Sequence, residues 1–168
     1  IQITKLCNNL LPASRWASRY DSLTSEHCLH CGESEDRDHL VRCSYAPQEK
    51  LRTELLTHLR ETHDDPLTKP YLVDILIDGL HSWLNHSHIN KTRYPRRYHQ
   101  LINEQSAIGW RQLFNGHLST KWLIRQDLYL RRRKFHTWTH NGSNWTLRTL
   151  TTIWTAFFKI WKDQNEAI

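Results

Sequence analysis

Residues 70–84 read PYLVDILIDGLHSWL. Leu72, Ile75, Leu76, Gly79, Leu80 and Trp83 fall at i, i+3, i+4, i+7, i+8 and i+11, positions that share one face at 3.6 residues per turn. Asp74 and Asp78 lie one turn apart and read as its polar face. Pro70 suits a first turn, where its missing N–H costs nothing. The stretch therefore predicts an amphipathic helix.

The same period recurs on both sides. Leu51, Leu55 and Leu59 repeat every four residues in 47–60, behind Pro47. Tyr98, Leu101, Ile102, Gln105 and Ile108 share a face of a predicted helix over 96–114, stopped by Asn115-Gly116. Ser119 is a candidate cap for a helix over 120–134. Leu147, Leu150, Trp154, Phe157 and Trp161 are spaced 3, 4, 3, 4, one continuous apolar seam. Alternating strand patterns are nearly absent. The fold class expected is mainly α, about five helices forming one domain over 46–168, with a small N-terminal knuckle over 1–45. Of the eight tryptophans, Trp83, Trp154 and Trp161 fall on seams and belong to the core. Trp110, Trp122 and Trp138 sit in or beside a basic block, where an aromatic ring can also stack on a base.

No run approaches the length of about 18 apolar residues that spans a bilayer, so no membrane contact is expected. Ile1 to Leu10 carries Lys5, Asn8 and Asn9 without an apolar core, unlike a signal peptide. Among 168 residues there is no methionine and residue 1 is isoleucine, which fits a processed chain or a piece of a longer one.

The cysteines are more specific. Cys28, Cys31, His39 and Cys43 are arranged as Cys28-x2-Cys31-x7-His39-x3-Cys43. A tetrahedral Zn²⁺ takes four such sulfur and nitrogen ligands. Two residues between cysteines let both sulfurs face one concavity, and Gly32 permits the positive φ of such a turn. His39 and Cys43, four apart, share one face of a helical turn. Four ligands leave no open position for a reacting water, so the expected Zn²⁺ is structural. His27 and His30 are substitute ligands with poorer spacing, and Cys7 reads as a buried or unbridged thiol. A disulfide framework would need an oxidising compartment and would leave one of the three clustered cysteines over.

Other chemistry finds no motif. There is no Gly-rich phosphate loop and no Gly-x-Ser-x-Gly elbow. Tyr71-Leu72-Val73-Asp74 lacks the second aspartate of a polymerase motif. A deaminase would need His-x-Glu before Pro-Cys-x-x-Cys. Outside His39 the histidines have no consistent spacing, and His86 and His88 read as surface loop. No catalytic residue is assigned, and the segment is not expected to be an enzyme.

Charge is uneven. Residues 1–90 hold 9 Lys and Arg against 13 Asp and Glu, residues 91–134 hold 11 against 2, and residues 135–168 hold 3 against 2. A face serving solubility alone would mix signs. Arg93, Arg96, Arg97, Lys121, Arg125, Arg131, Arg132, Arg133 and Lys134, interleaved with Tyr94, Tyr98, Trp122, Tyr129 and Phe135, are the candidate nucleic-acid contacts.

Leu10-Leu11-Pro12 and Arg15, then Cys28-x2-Cys31, then Asp38-His39-Leu40-Val41-Arg42-Cys43, resemble the zinc-binding segment downstream of the polymerase in non-LTR retrotransposon reverse transcriptases. Ile108-Gly109-Trp110, Ser119-x-x-Trp122 and Ile160-Trp161-Lys162-x-Gln164-Asn165 resemble the C-terminal ending of such proteins, with Gln164 where the family more often has arginine. The resemblance implies a non-catalytic C-terminal region of a polyprotein whose upstream domain is an RNA-directed DNA polymerase. It implies contact with template RNA or target DNA, an intracellular site in nucleus and cytoplasm, and the upstream reverse transcriptase domain as a partner. The alternative is a protein–protein docking module of the same polyprotein.

Overall fold

The computed structural model describes residues 19, 20, 22, 23 and 25–165. Cys7, Pro12 and the Leu10-Leu11-Pro12 and Arg15 elements of the resemblance lie outside the described residues. Among those described there are six α-helices: α1 (Arg37–Arg42), α2 (Ala46–Thr62), α3 (Leu72–Leu84), α4 (His99–Ile108), α5 (Thr120–Arg132) and α6 (Gly142–Asn165). Short 3-10 turns occupy Lys91–Arg93, Arg96–Tyr98 and Trp110–Asn115. No strand forms among the described residues, and one antiparallel bridge joins His27 to Ser34. The mainly helical expectation is met.

α6 is the longest element and the one on which the others assemble. α2 and α5 make the most extensive contacts with it, and the Trp110–Asn115 turn and α1 add to them. One buried cluster runs from Leu40 and Val41 of α1 through Leu55, Leu59, Leu76 and Leu101 to Phe157 and Ile160. α3 buries Leu72, Ile75, Leu76, Gly79 and Leu80 as its spacing predicts, with Trp83 packed against the cluster. Pro47 lies in the first turn of α2. The Ser119 hydroxyl caps α5, accepting from the Lys121 N–H at 3.2 Å.

Four details depart from the sequence expectation. Pro70 lies outside α3: Tyr71 precedes the helix at φ 70°, a left-handed conformation uncommon for a tyrosine. Its ring packs on Tyr98 and Tyr94, and the Tyr98 hydroxyl donates to the Pro70 carbonyl at 2.8 Å. The 96–114 helix is broken at Gly109 (φ 100°, ψ 132°), a conformation that glycine reaches without steric cost. Ile108 is 40% exposed there. α5 stops at Arg132, and Lys134 turns the chain at φ 60°. Finally, the inward face of α6 departs in part from the predicted seam. Of the seam, Leu150 and Phe157 are buried and Trp154 and Trp161 pack against the core as predicted, but Leu147 is 58% exposed, and Trp145, Thr149, Ile153 and Ile160 are buried alongside. The Trp145 ring lies parallel to Trp122, with centroids 6.1 Å apart, and Thr149 binds the buried His63. Those contacts turn that face inward.

Trp110 and Trp122 are therefore core residues, 7% and 0% exposed and packed edge to face. Neither ring is available to stack on a base. Trp138 is 93% exposed.

Candidate metal centre and basic surface

The cysteine knuckle begins as a tight backbone loop. The Gly32 N–H donates to the Cys28 carbonyl at 2.8 Å and the Cys28 N–H to the Glu33 carbonyl at 2.7 Å. Gly32 takes φ 77°. The Glu35 N–H reaches back to the Glu26 carbonyl, so Cys28 and Cys31 sit on one side of a closed loop. α1 follows at once. The Asp36 carboxylate caps it, accepting from the His39 N–H at 2.8 Å. The Cys43 N–H bonds the His39 carbonyl at 2.7 Å, which stacks His39 and Cys43 one turn apart.

These two supports bring all four predicted ligands together. Their ligand atoms lie within 4.8 Å of one another. Cys28 Sγ and Cys43 Sγ are 3.8 Å apart, and Cys31 Sγ is 3.2 Å from His39 Nε2. A tetrahedral ion with metal–sulfur bonds of ~2.3 Å sets its sulfurs ~3.8 Å apart. Cys28, His39 and Cys43 are buried, Cys31 is half-buried, and none of the three cysteines is in a disulfide. The group could hold a metal ion. Burial pushes the Cys43 thiol up to about 12 and raises Cys28 too, so an ion entering here displaces protons from thiols. His39 Nδ1, on the far side of the ring, lies 3.5 Å from the Glu33 carboxylate. A carboxylate in that place fixes the ring's orientation for a ligating Nε2.

The knuckle is tied to the helical body by groups that sequence reasoning missed. Arg52 of α2 donates to the carbonyls of Val41 (3.1 Å) and Cys43 (2.5 Å). Arg42 donates to the Trp83 carbonyl at 2.7 Å and lies over the Trp83 ring. Arg111 pairs with Asp38. No sequence pattern marks these partners, because each pair meets only through the tertiary fold. His30 does not join the ligands; it stacks on Tyr45, with centroids 4.3 Å apart.

No protein family, curated protein or solved structure matches this chain.

The basic block divides into two kinds of residue. Arg93 pairs with Asp78 at 3.0 Å, and Lys121 lies 3.9 Å from Glu104. Asp78 also accepts from the Tyr94 hydroxyl at 2.5 Å, and burial together with this carboxylate raises the Tyr94 phenol. Asp74 is taken by Arg60. By contrast, Arg96, Arg97, Arg131, Arg132, Arg133 and Lys134 are exposed and make no ion pair among the described residues. Arg125 is half-buried and likewise unpaired by a carboxylate. Guanidinium groups rest on tyrosine rings instead: Arg97 and Arg125 on Tyr98, Arg133 on Tyr129.

Proposed function

We propose that this chain is a zinc-stabilised, non-catalytic nucleic-acid-binding module. The ion favoured is Zn²⁺, because three thiolates and one imidazole are its preferred donors in closed four-ligand sites. Held by all four, it would fix the knuckle to the end of α1 and leave no position for a reacting water. The observation that carries the nucleic-acid reading is the set of exposed Arg and Lys side chains over 96–134 that no carboxylate among the described residues neutralises. Cations left without partners are available to displace counterions from a phosphate backbone. Arginines already resting on tyrosine rings lose less freedom when they bind.

The resemblance of the knuckle to retroelement reverse transcriptases supports placing the module downstream of a polymerase domain, where it would contact template RNA or target DNA. The docking reading rests on a different place, the open cleft between α2 and α6. It has a volume of about 590 Å³ and is lined by Leu51, Leu55 and Ala156 among polar residues.

The test is direct binding of labelled single-stranded and duplex RNA and DNA to the zinc-loaded chain at low salt. Saturable binding is expected. Absence of binding to all four at low salt would contradict the proposal and leave the docking reading.

A further inference from the structure

Lys69 is not in the basic block, yet the fold brings it there. It sits in the loop between α2 and α3, which is clamped against α5 and the Arg96–Tyr98 turn. Gln126 of α5 accepts from the Lys69 N–H at 2.9 Å and donates to the Leu67 carbonyl at 2.6 Å. The Tyr129 hydroxyl donates to the Pro66 carbonyl and the Tyr98 hydroxyl to the Pro70 carbonyl. Four hydrogen bonds thus hold a five-residue stretch of backbone around one lysine.

Three cations converge on one ring as a result. Lys69 Nζ is 5.8 Å, the Arg97 guanidinium 5.3 Å and the Arg125 guanidinium 5.5 Å from the centre of Tyr98. Lys69 is also 5.9 Å from the centre of Tyr129. No carboxylate pairs with any of the three among the described residues. The Nε–H of Arg125 is buried without a partner among the described residues. Like charges gathered in this way repel one another, and no carboxylate among the described residues pairs with them to offset the repulsion. Burial, and then the nearness of Arg125, Arg97 and Arg132, hold the Lys69 ammonium below the usual lysine range. An anion seated among them would relieve that strain and would meet planar donors and a point charge together.

We propose that Lys69, Arg97 and Arg125 form one phosphate-binding site on the floor made by Tyr98 and Tyr129, and that this site grips a backbone phosphate of the bound nucleic acid. The second clause rests on the function proposed above; the first does not.

The experiment uses the whole zinc-loaded chain, a fluorescent single-stranded RNA 20-mer and, separately, inorganic pyrophosphate. Lys69→Gln and Arg125→Gln should each weaken RNA binding by about fivefold or more. Lys69→Arg, which keeps the charge, should retain it. Lys159→Gln, on α6 and paired with Glu54, should leave it unchanged. Pyrophosphate should raise the Tm of the parent chain and of Lys69→Arg but not of Lys69→Gln. Each variant's melt, taken without ligand, shows that it folds. RNA binding by the parent chain that Lys69→Gln and Arg125→Gln leave intact overturns the site and spares the basic surface. No nucleic-acid binding, with pyrophosphate protection that depends on Lys69, overturns the proposed function and supports the phosphate site, free phosphate then being its ligand. Neither RNA binding nor pyrophosphate protection overturns both.

Discussion

Cys28 and Cys43 illustrate how a residue's surroundings decide its role. Both thiols are buried, 3.8 Å apart, and pushed up by burial. As thiols they gain little there, whereas as ligands they would complete a tetrahedron. Cys28→Ser should therefore lower bound zinc from about one ion per chain to almost none, read by elemental analysis. It should also lower Tm, since structural zinc contributes directly to folding. A parent chain that is metal-free and as stable as its Cys28→Ser variant would contradict the centre.

His63 is the opposite case, a histidine with a structural task. Arg148 donates to its Nδ1 at 3.3 Å, which leaves the proton on Nε2 to be given to Thr149 Oγ1 at 2.9 Å. The Thr149 hydroxyl in turn donates to the Trp145 carbonyl. This arrangement needs a neutral ring. Burial, and then the Arg148 charge, lower the His63 pKa to about 4. Below pH ~6.5 the unfolded chain takes up a proton that the folded chain refuses, so stability falls as the pH drops from ~6.5 to ~4. The full loss is on the order of 3 kcal/mol. Denaturant unfolding of the parent chain and of His63→Gln at pH 7 and pH 4.5 checks it: the parent should lose more stability than the variant over that interval. Equal losses would show that His63 is not the group responsible.

At the scale of elements, α1 is too short to stand alone, since isolated helices need about 12 residues or more in water. It depends on the Asp36 cap, the Arg52 clamp and the burial of Leu40 and Val41. Asp36→Ala should cost about 1 kcal/mol and weaken zinc binding, because the lost hydrogen bond is the one that places His39. A competition titration with a chromogenic chelator measures the second effect; unchanged zinc affinity would separate the cap from the centre.

The junction of α4 and α5 depends on one buried amide. Gln105 Oε1 accepts from the Ser119 N–H at 3.0 Å and from the Trp122 indole N–H at 3.1 Å. Gln105→Leu fills the space but leaves two buried donors unpaired, at about 1–3 kcal/mol each. Its measured destabilisation should exceed that of the exposed change Gln100→Leu. A loss no greater than at Gln100 would refute this role.

The sequence made some of these elements readable and hid others for definite reasons. The four candidate ligands were readable because spacing along a turn and a loop sets their geometry. α3 was readable because one strict period buries one face. The break at Gly109 was obscured because the apolar period from Tyr98 to Ile108 runs straight up to it. Leu147 fitted the seam of α6, but Trp122 and His63, which select the adjacent face, are tertiary partners and leave no local mark.

For the molecule as a whole, the acidic first half and the basic block beyond it are joined rather than separate. Leu40 and Val41 of the knuckle lie in the same buried cluster as Leu101, Trp110 and Ile160. Arg111 of the block pairs with Asp38 of the knuckle. Some block residues are thus spent on the fold, while Arg96, Arg97 and Arg131 to Lys134 remain at the surface without ion pairs among the described residues. Charge counting along the chain could not make that division, and it could not find Lys69, which reaches Tyr98 only through the clamped loop.

The proposed binding of nucleic acid is tested most directly by the dependence of affinity on salt. With about five phosphates neutralised, log K for single-stranded RNA should fall against log salt with a slope of about −3.5. Replacing Arg131, Arg132 and Arg133 together by Gln should flatten that slope by about 2. An affinity that is indifferent to salt, or a slope that the triple replacement leaves unchanged, would contradict the account.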